Sequence, residues 1–166
     1  NRSEGLLHFV ENYRKLTRVP KPVAELVNIK AFLSAIEKLM KESLQRKAIH
    51  LVVTADENLS VFFDPSLMEQ VLINLITNSM NALENASHKE IQLKAYRQEY
   101  LTIIEVTDNG KGIPEKELKE IFIPFYSTRK EGSGIGLSLS KQIVSLHGGR
   151  IKVSSTPGKQ TSFYIQ

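Results

Sequence analysis

The chain has no cysteine and no tryptophan among its 166 residues. Without cysteine, disulfides and thiolate metal sites are excluded, and a reducing compartment is the natural setting. Long apolar runs are missing as well: no stretch approaches the ~20 residues that span a bilayer as a helix. Aromatic residues amount to only 7%. None of them interleaves a basic stripe, which removes the usual basis for gripping single-stranded nucleic acid. Charge of one sign is also scarce, with 22 Lys and Arg against 18 Asp and Glu for a net +4. The basic residues are scattered, so they read as a solvated surface compatible with an anionic ligand, and no nucleic-acid partner is expected.

What remains is the composition of one soluble-type domain, 41% hydrophobic and 24% charged, long enough to bury a real core. The chain opens without Met inside an amphipathic pattern, Leu6, Val10, Tyr13 and Leu16, widened by Phe9. That start reads as a piece of a longer protein. The helix should end before Pro20 and Pro22, which break it and form a short linker.

Asn28 is placed to cap a second helix carrying Phe32, Leu33, Ile36, Leu39 and Met40 on one face. "IHLVVTA" and "SVFF" read as strands. Asp64 followed by Pro65 is an N-cap with proline at the first helical position, opening a third helix. "EIQLKAY" and "LTIIEVTD" form the next strand pair, with "RQEY" between them as the turn. After Asp108 come the Gly- and Pro-punctuated "DNGKGIP", a short helix around "EKELKEIF", and "IPFYSTRKEGSGIG". Helical period returns from Leu137 to Leu146 and stops at Gly148 and Gly149. "RIKVSS" and "TSFYIQ", joined at "TPGKQ", complete the sheet. The expected class is α/β, a two-layer sandwich of about three long helices on one face of a mixed sheet of about five strands.

Three stretches carry chemistry. In the third helix, Val71, Leu72, Leu75, Ile76, Ala82 and Leu83 make an apolar face, while Asn74, Asn78 and Asn81 form a stripe beside it. Asparagine costs roughly half a kcal/mol per interior helix site relative to alanine. An exposed face would use Glu, Lys or Gln instead. An amide offers its oxygen to a hard cation and its NH2 to a phosphate without adding negative charge. In "DNGKGIP", Asp108 ends a strand and Gly110 and Gly112 let backbone pass close to a planar ligand, with Ile113 as an apolar wall. Asp-Asn-Gly alone is equally an ordinary turn. In "EGSGIGLSLS", Gly132, Gly134 and Gly136 precede a helix whose free N–H groups and dipole favour an anion. Arg129 and Lys130 stand just upstream, within reach of a terminal phosphate. Taken singly, that loop is equally a ligand-free hinge.

Taken in order, these elements resemble the GHKL, or Bergerat-fold, ATP-binding superfamily, and within it the sensor histidine kinases of the nitrogen-regulation-like kind. "DPSLMEQVLINLITNSMNAL" looks like the N box, "DNGKGIP" the G1 box, "IFIPFYSTRK" the F box, "GSGIGLSLSKQIVSLHGG" the G2 box and "TSFYI" the final motif. The resemblance runs almost continuously from Val23 to the C-terminus. It implies ATP and Mg2+ as cofactors, with Asn78 as the magnesium ligand and Asn74 and Asn81 along the same nucleotide face. Asp108 and Thr161 would surround the adenine beside Gly110, Gly112 and Ile113. Gly134, Gly136 and Leu137 would hold phosphates by backbone N–H, Arg129 and Lys130 would reach the terminal phosphate, and Thr128, Gly132, Ser133 and Ile135 would complete the nucleotide-binding set. Residues from about Glu115 to Ile135 would form a flexible ATP lid anchored by Phe122 and Phe125.

Position 74 separates relatives. Topoisomerase, chaperone and mismatch-repair members carry a water-activating Glu there, whereas the neutral amide of Asn74 cannot act as a general base. Phosphoryl transfer is therefore expected, with Asn74, Arg129 and Lys130 as the catalytic set. The alternatives are a GHKL ATPase clamp and an anti-sigma-type serine kinase. Residues 1–22 resemble the end of a dimerisation hairpin and its linker, and 23–166 the catalytic domain. The implied acceptor is a His on that hairpin, followed by relay to a response-regulator Asp. His8 lacks the acidic neighbour of an acceptor and reads as a helix-surface residue. His50, His88 and His147 read as structural. The resemblance further implies a cytoplasmic domain of a homodimeric parent attached to the inner membrane, the present chain being a monomer or weak dimer.

Overall fold

The computed structural model describes residues 7, 10, 11, 13, 14, 16–128 and 132–166. The expectations placed on Leu6, His8, Phe9, Arg129 and Lys130 fall outside those residues. Near the N-terminus, Leu7, Val10, Glu11, Tyr13, Arg14, Leu16 and Thr17 are helical. Leu7, Val10 and Tyr13 are exposed, while Leu16 and Val19 pack against the core.

The elements then follow as β1 (Glu25–Asn28), α1 (Ile29–Arg46), β2 (His50–Ala55), β3 (Ser60–Phe63), α2 (Pro65–Ala82), β4 (Glu90–Gln98), β5 (Leu101–Asp108), the single turn α3 (Glu115–Leu118), α4 (Gly136–Leu146), β6 (Ile151–Thr156) and β7 (Gln160–Ile165). Both expected caps form. The Asn28 side chain accepts the Ala31 N–H at 2.9 Å, and Asp64 Oδ1 accepts the Leu67 N–H at 3.1 Å. Each cap satisfies a donor that the first helical turn leaves without a partner.

The main sheet runs β2-β4-β5-β7-β6. Only β2 and β4 pair in parallel; the other neighbours are antiparallel. Ile91, Leu93, Ala95, Ile104, Val106, Phe163 and Ile165 point to one face and are buried under the long helices. Lys94, Glu105, Thr107 and Lys152 alternate onto the other face, which stays polar, as an antiparallel sheet with one wet side requires. α2 supplies the centre of the core: Val71, Leu72, Leu75 and Ile76 are all at 0% exposure. Each such side chain contributes about 1.5–3 kcal/mol by leaving water.

Three details depart from expectation. β1 pairs antiparallel with β3 as a separate two-stranded sheet, so "SVFF" joins a second layer edge and not the main sheet. β4 extends through Gln98, leaving Glu99 and Tyr100 as the turn, with Glu99 at φ 54°. Leu39 is 55% exposed. On a regular helix it lies about 90° from the centre of the buried stripe defined by Ile29, Leu33, Ile36 and Met40.

Candidate nucleotide-binding site

A cleft of ≈ 580 Å³ opens between α2, the start of α4, the end of β5 and the loops that join them. That volume suits a nucleotide-sized ligand. A smaller hollow of ≈ 430 Å³ between α1 and β2 is lined by Glu37, Lys38 and Lys41 and includes none of the motif residues. The structure brings Asn74, Asn78, Asn81, Asp108, Gly112, Ile113, Thr128, Gly132, Ser133, Gly134, Gly136, Leu137 and Thr161 onto the wall of the larger cleft. Gly110 and Ile135 stand just behind it. Gly110 donates its N–H to Asp108 Oδ1 at 3.0 Å, and Ile135 is the buried residue before α4.

Asp108 sits at the end of β5 because that strand runs antiparallel to β7, and register places it opposite Thr161. Both are buried, at 2% and 3% exposure. Burial pushes the Asp108 carboxyl above its ordinary range, opposed by the Gly110 N–H and the neighbouring Ser79 hydroxyl. Ser155 organises the rest of this end. Its hydroxyl donates to Gln160 O at 2.8 Å and accepts the Ile113 N–H at 2.8 Å. The 3.0 Å contact between the Ser155 and Thr161 hydroxyls is therefore donated by Thr161, whose remaining lone pairs are left as acceptors.

Two close approaches explain glycines. At Gly112, φ is +71° and a Cβ would lie 2.5 Å from Thr156 O; at Gly136 a Cβ would lie 2.1 Å from Asn74 Oδ1. The second packs the first turn of α4 directly on the Asn row. Asn74 Nδ2 in turn donates to Ser140 Oγ at 2.9 Å, so this amide ties α2 to α4 while its edge faces the cleft. Among the described residues, no hydrogen bond holds the side chains of Asn78 or Asn81.

Of the two phenylalanines named from the sequence in the segment after Ile113, Phe122 docks on the sheet. The Phe122 ring meets Phe163 edge to face, with centroids 6.4 Å apart, and lies 5.6 Å from Lys141 Nζ. Phe125, by contrast, is 42% exposed; its N–H donates to Gly134 O at 2.8 Å within the same segment, with φ at 66°. Tyr126 also lines the cleft, its phenol pushed up by burial and by the carboxylates of Glu117 and Glu120.

Whether these groups suit a magnesium nucleotide can be tested on what they leave unsatisfied. α4 begins without a side-chain cap, so its first N–H groups are orphan donors facing the loop. Ser79 Oγ, on a residue at 1% exposure, meets no partner at hydrogen-bonding geometry, although it stands near enough to the Asp108 carboxyl to favour its charged form. A buried hydroxyl so loosely engaged keeps capacity for a water or ligand group. Among the described residues no cluster of three or more His, Asp or Glu side chains forms a metal site. A divalent ion here would need phosphate oxygens together with an amide oxygen, which is the donor set of Asn78 plus a triphosphate. The residues fit the group.

Ser79, Ser140 and Ser155 were not singled out from the sequence. Small hydroxyls carry no spacing signature, and only the register of α2, α4, β6 and β7 brings them to the site.

Fold and cleft together define a nucleotide-binding ATPase-type domain, and the comparisons agree. Residues 63–166 match the family of histidine kinase-, DNA gyrase B-, and HSP90-like ATPases, and the chain belongs to that family. It is 32% identical over 164 residues to sensor histidine kinase ZraS of Salmonella typhimurium, covering 98% of this chain and 35% of that protein. It is 40% identical over 148 residues to the adaptive-response sensory kinase SasA of Prochlorococcus marinus, covering 86% and 38%. The chain thus spans little more than a third of these curated relatives. Among solved structures, the nucleotide-free catalytic domain of histidine kinase ThkA superposes with a TM-score of 0.76 at 27% identity, over 86% of this chain and 93% of that one.

Proposed function

We propose that residues 23–166 are the ATP-binding catalytic domain of a sensor histidine kinase and that residues 1–22 are the end of its dimerisation hairpin and linker. The observation that supports this most is the meeting, in one cleft, of a buried carboxylate and hydroxyl, a row of neutral amides and an uncapped helix start. Asp108 accepts from the adenine amino group beside Thr161, and Gly112 and Ile113 flank the base. The amides from Gly132 to Leu137, with Thr128, hold the phosphates. Asn78 would hold Mg2+ through its amide oxygen, and the ion would supply positive charge to offset that of the phosphates.

Arg129 and Lys130 neutralise the γ-phosphoryl as its bond to ADP breaks and a phosphorus–nitrogen bond forms at the acceptor imidazole. That imidazole belongs to the dimerisation hairpin of the homodimeric, inner-membrane-attached parent, and a response-regulator Asp then receives the phosphoryl. The neutral amide of Asn74 is too weak a base to activate water, and its NH2 is held by Ser140 Oγ. This favours transfer over steady hydrolysis.

Calorimetric titration with ATP, with and without magnesium, tests the reading. Asn78→Ala is expected to remove most of the magnesium dependence and Asp108→Ala to remove adenine recognition. Both variants binding like the parent would overturn the site. Incubated alone with labelled ATP, the chain is expected to accumulate no acid-labile phosphate; labelling would contradict the assignment of residues 1–22.

A further inference from the structure

Asp64 joins three segments that are far apart in sequence. Its Oδ2 accepts the Val23 N–H at 2.9 Å, where the linker enters the domain. Its Oδ1 caps α2 through the Leu67 N–H. Its own N–H donates to His147 Nε2 at 3.0 Å, just past the end of α4. The imidazole is therefore in the tautomer that donates from Nδ1 to Ile143 O, 2.8 Å away. α2 and α4 are thus tied at two levels, by Asp64–His147 at one end and by Asn74–Ser140 midway.

Beyond the second tie, α2 carries Asn78 and α4 begins with the Gly136 amide, and both face the cleft. The two helices also share one apolar core, with Leu139, Ile143 and Val144 of α4 beside Leu72, Leu75 and Ile76 of α2. Apolar packing is non-directional, however, and the two hydrogen bonds fix how the helices register along each other. With the Asp64–His147 joint broken, α2 and α4 would stay packed but be free to shift along each other about Asn74–Ser140, and the spacing between Asn78 and the α4 amides would drift. Asp108 and Thr161 are set by strand register and would not follow.

On the nucleotide reading of the cleft, we infer that His147 is a positioning residue for its phosphate and metal end, and that its joint with Asp64 couples that end to the linker at Val23. No role in transferring atoms is involved. Because coupling between two sites is reciprocal, magnesium nucleotide must also tighten the Val23 contact.

The test uses the non-hydrolysable analogue Mg-AMPPNP, adenosine as a probe of the base alone, and amide hydrogen exchange. His147→Leu is expected to weaken Mg-AMPPNP binding about five- to tenfold, the scale of one lost structural hydrogen bond. Adenosine binding should stay within about twofold. His147→Gln, whose amide oxygen reaches about as far as Nε2, should recover most of the loss. In the unmodified chain, saturating Mg-AMPPNP should slow exchange of the Val23 amide several-fold, and adenosine should not. Equal loss for both ligands, no recovery by glutamine, or a Val23 amide indifferent to Mg-AMPPNP would each overturn the inference, the last two even where His147→Leu does not fold. If the unmodified chain bound no Mg-AMPPNP, the nucleotide reading itself would fall.

Discussion

Asp108 shows how one residue can serve a ligand at the expense of the empty fold. It is at 2% exposure, and burial raises its carboxyl pKa with only the Gly110 N–H and the Ser79 hydroxyl in opposition. A carboxyl whose folded-state pKa lies above its unfolded value binds protons more readily when folded. Stability therefore falls as pH rises from the unfolded pKa through the folded one, and above that window the whole burial cost is present. Asp108→Asn removes that cost and keeps an oxygen for the Gly110 N–H, so the ligand-free variant should be no less stable than the parent at pH 7 by urea denaturation. Its ATP affinity should nevertheless collapse, since an amide does not offer the same acceptor charge. For the parent, affinity should decline on acidification through the raised pKa as the acceptor is protonated. A destabilised variant that still bound ATP would reverse this account.

Helix starts show which elements can be read locally and which cannot. Asn28 and Asp64 were legible as caps because capping chemistry is confined to four consecutive residues and to Pro65 at the first position. They differ in charge, and this separates two effects. Asn28→Ala should cost about 1 kcal/mol at any pH. The Asp64 carboxyl is held below its ordinary range chiefly by the Val23 N–H, then by the Leu67 N–H, against burial. Its stabilising contribution is complete above the unfolded pKa of about 4 and is lost as pH falls through the lower folded value. Asp64→Asn keeps a capping side chain but cannot titrate, so urea midpoints measured from pH 7 down to 2.5 should show a flatter acid limb than the parent. An unchanged limb would show that other carboxyls dominate it. β1 was not legible in the same way: Glu25–Asn28 is four residues with no fully buried position, and its strand state exists only because β3 lies beside it. Leu39 failed for a related reason, since hydrophobicity at the margin of a stripe does not say whether a neighbour covers it.

At the scale of the molecule, the sequence order of the boxes is not their order in space. The cleft forms only when α2, α4 and the β5–β7 pair are all in place, with Asp108 and Thr161 delivered by register across strands more than fifty residues apart. The ligand-contacting candidates were legible because glycines and asparagines are costly where they stand and so mark a purpose. The supporting hydroxyls of Ser79, Ser140 and Ser155 were not, because serine is unremarkable in sequence and acquires its role from a distant partner. A site assembled from the whole fold must, when filled, stabilise the whole fold. At a ligand concentration a hundredfold above Kd the gain is about 2.7 kcal/mol. For a domain of this size each kcal/mol moves Tm by roughly 2–4 °C, so saturating Mg-ATP should raise Tm by about 5–10 °C. Removing magnesium with a chelator at the same ATP concentration should shrink that shift, and Asn78→Ala with magnesium should behave like the parent without it. A shift of the same size under all three conditions would mean that the ion takes no part in binding and that the Asn row faces the cleft for another reason.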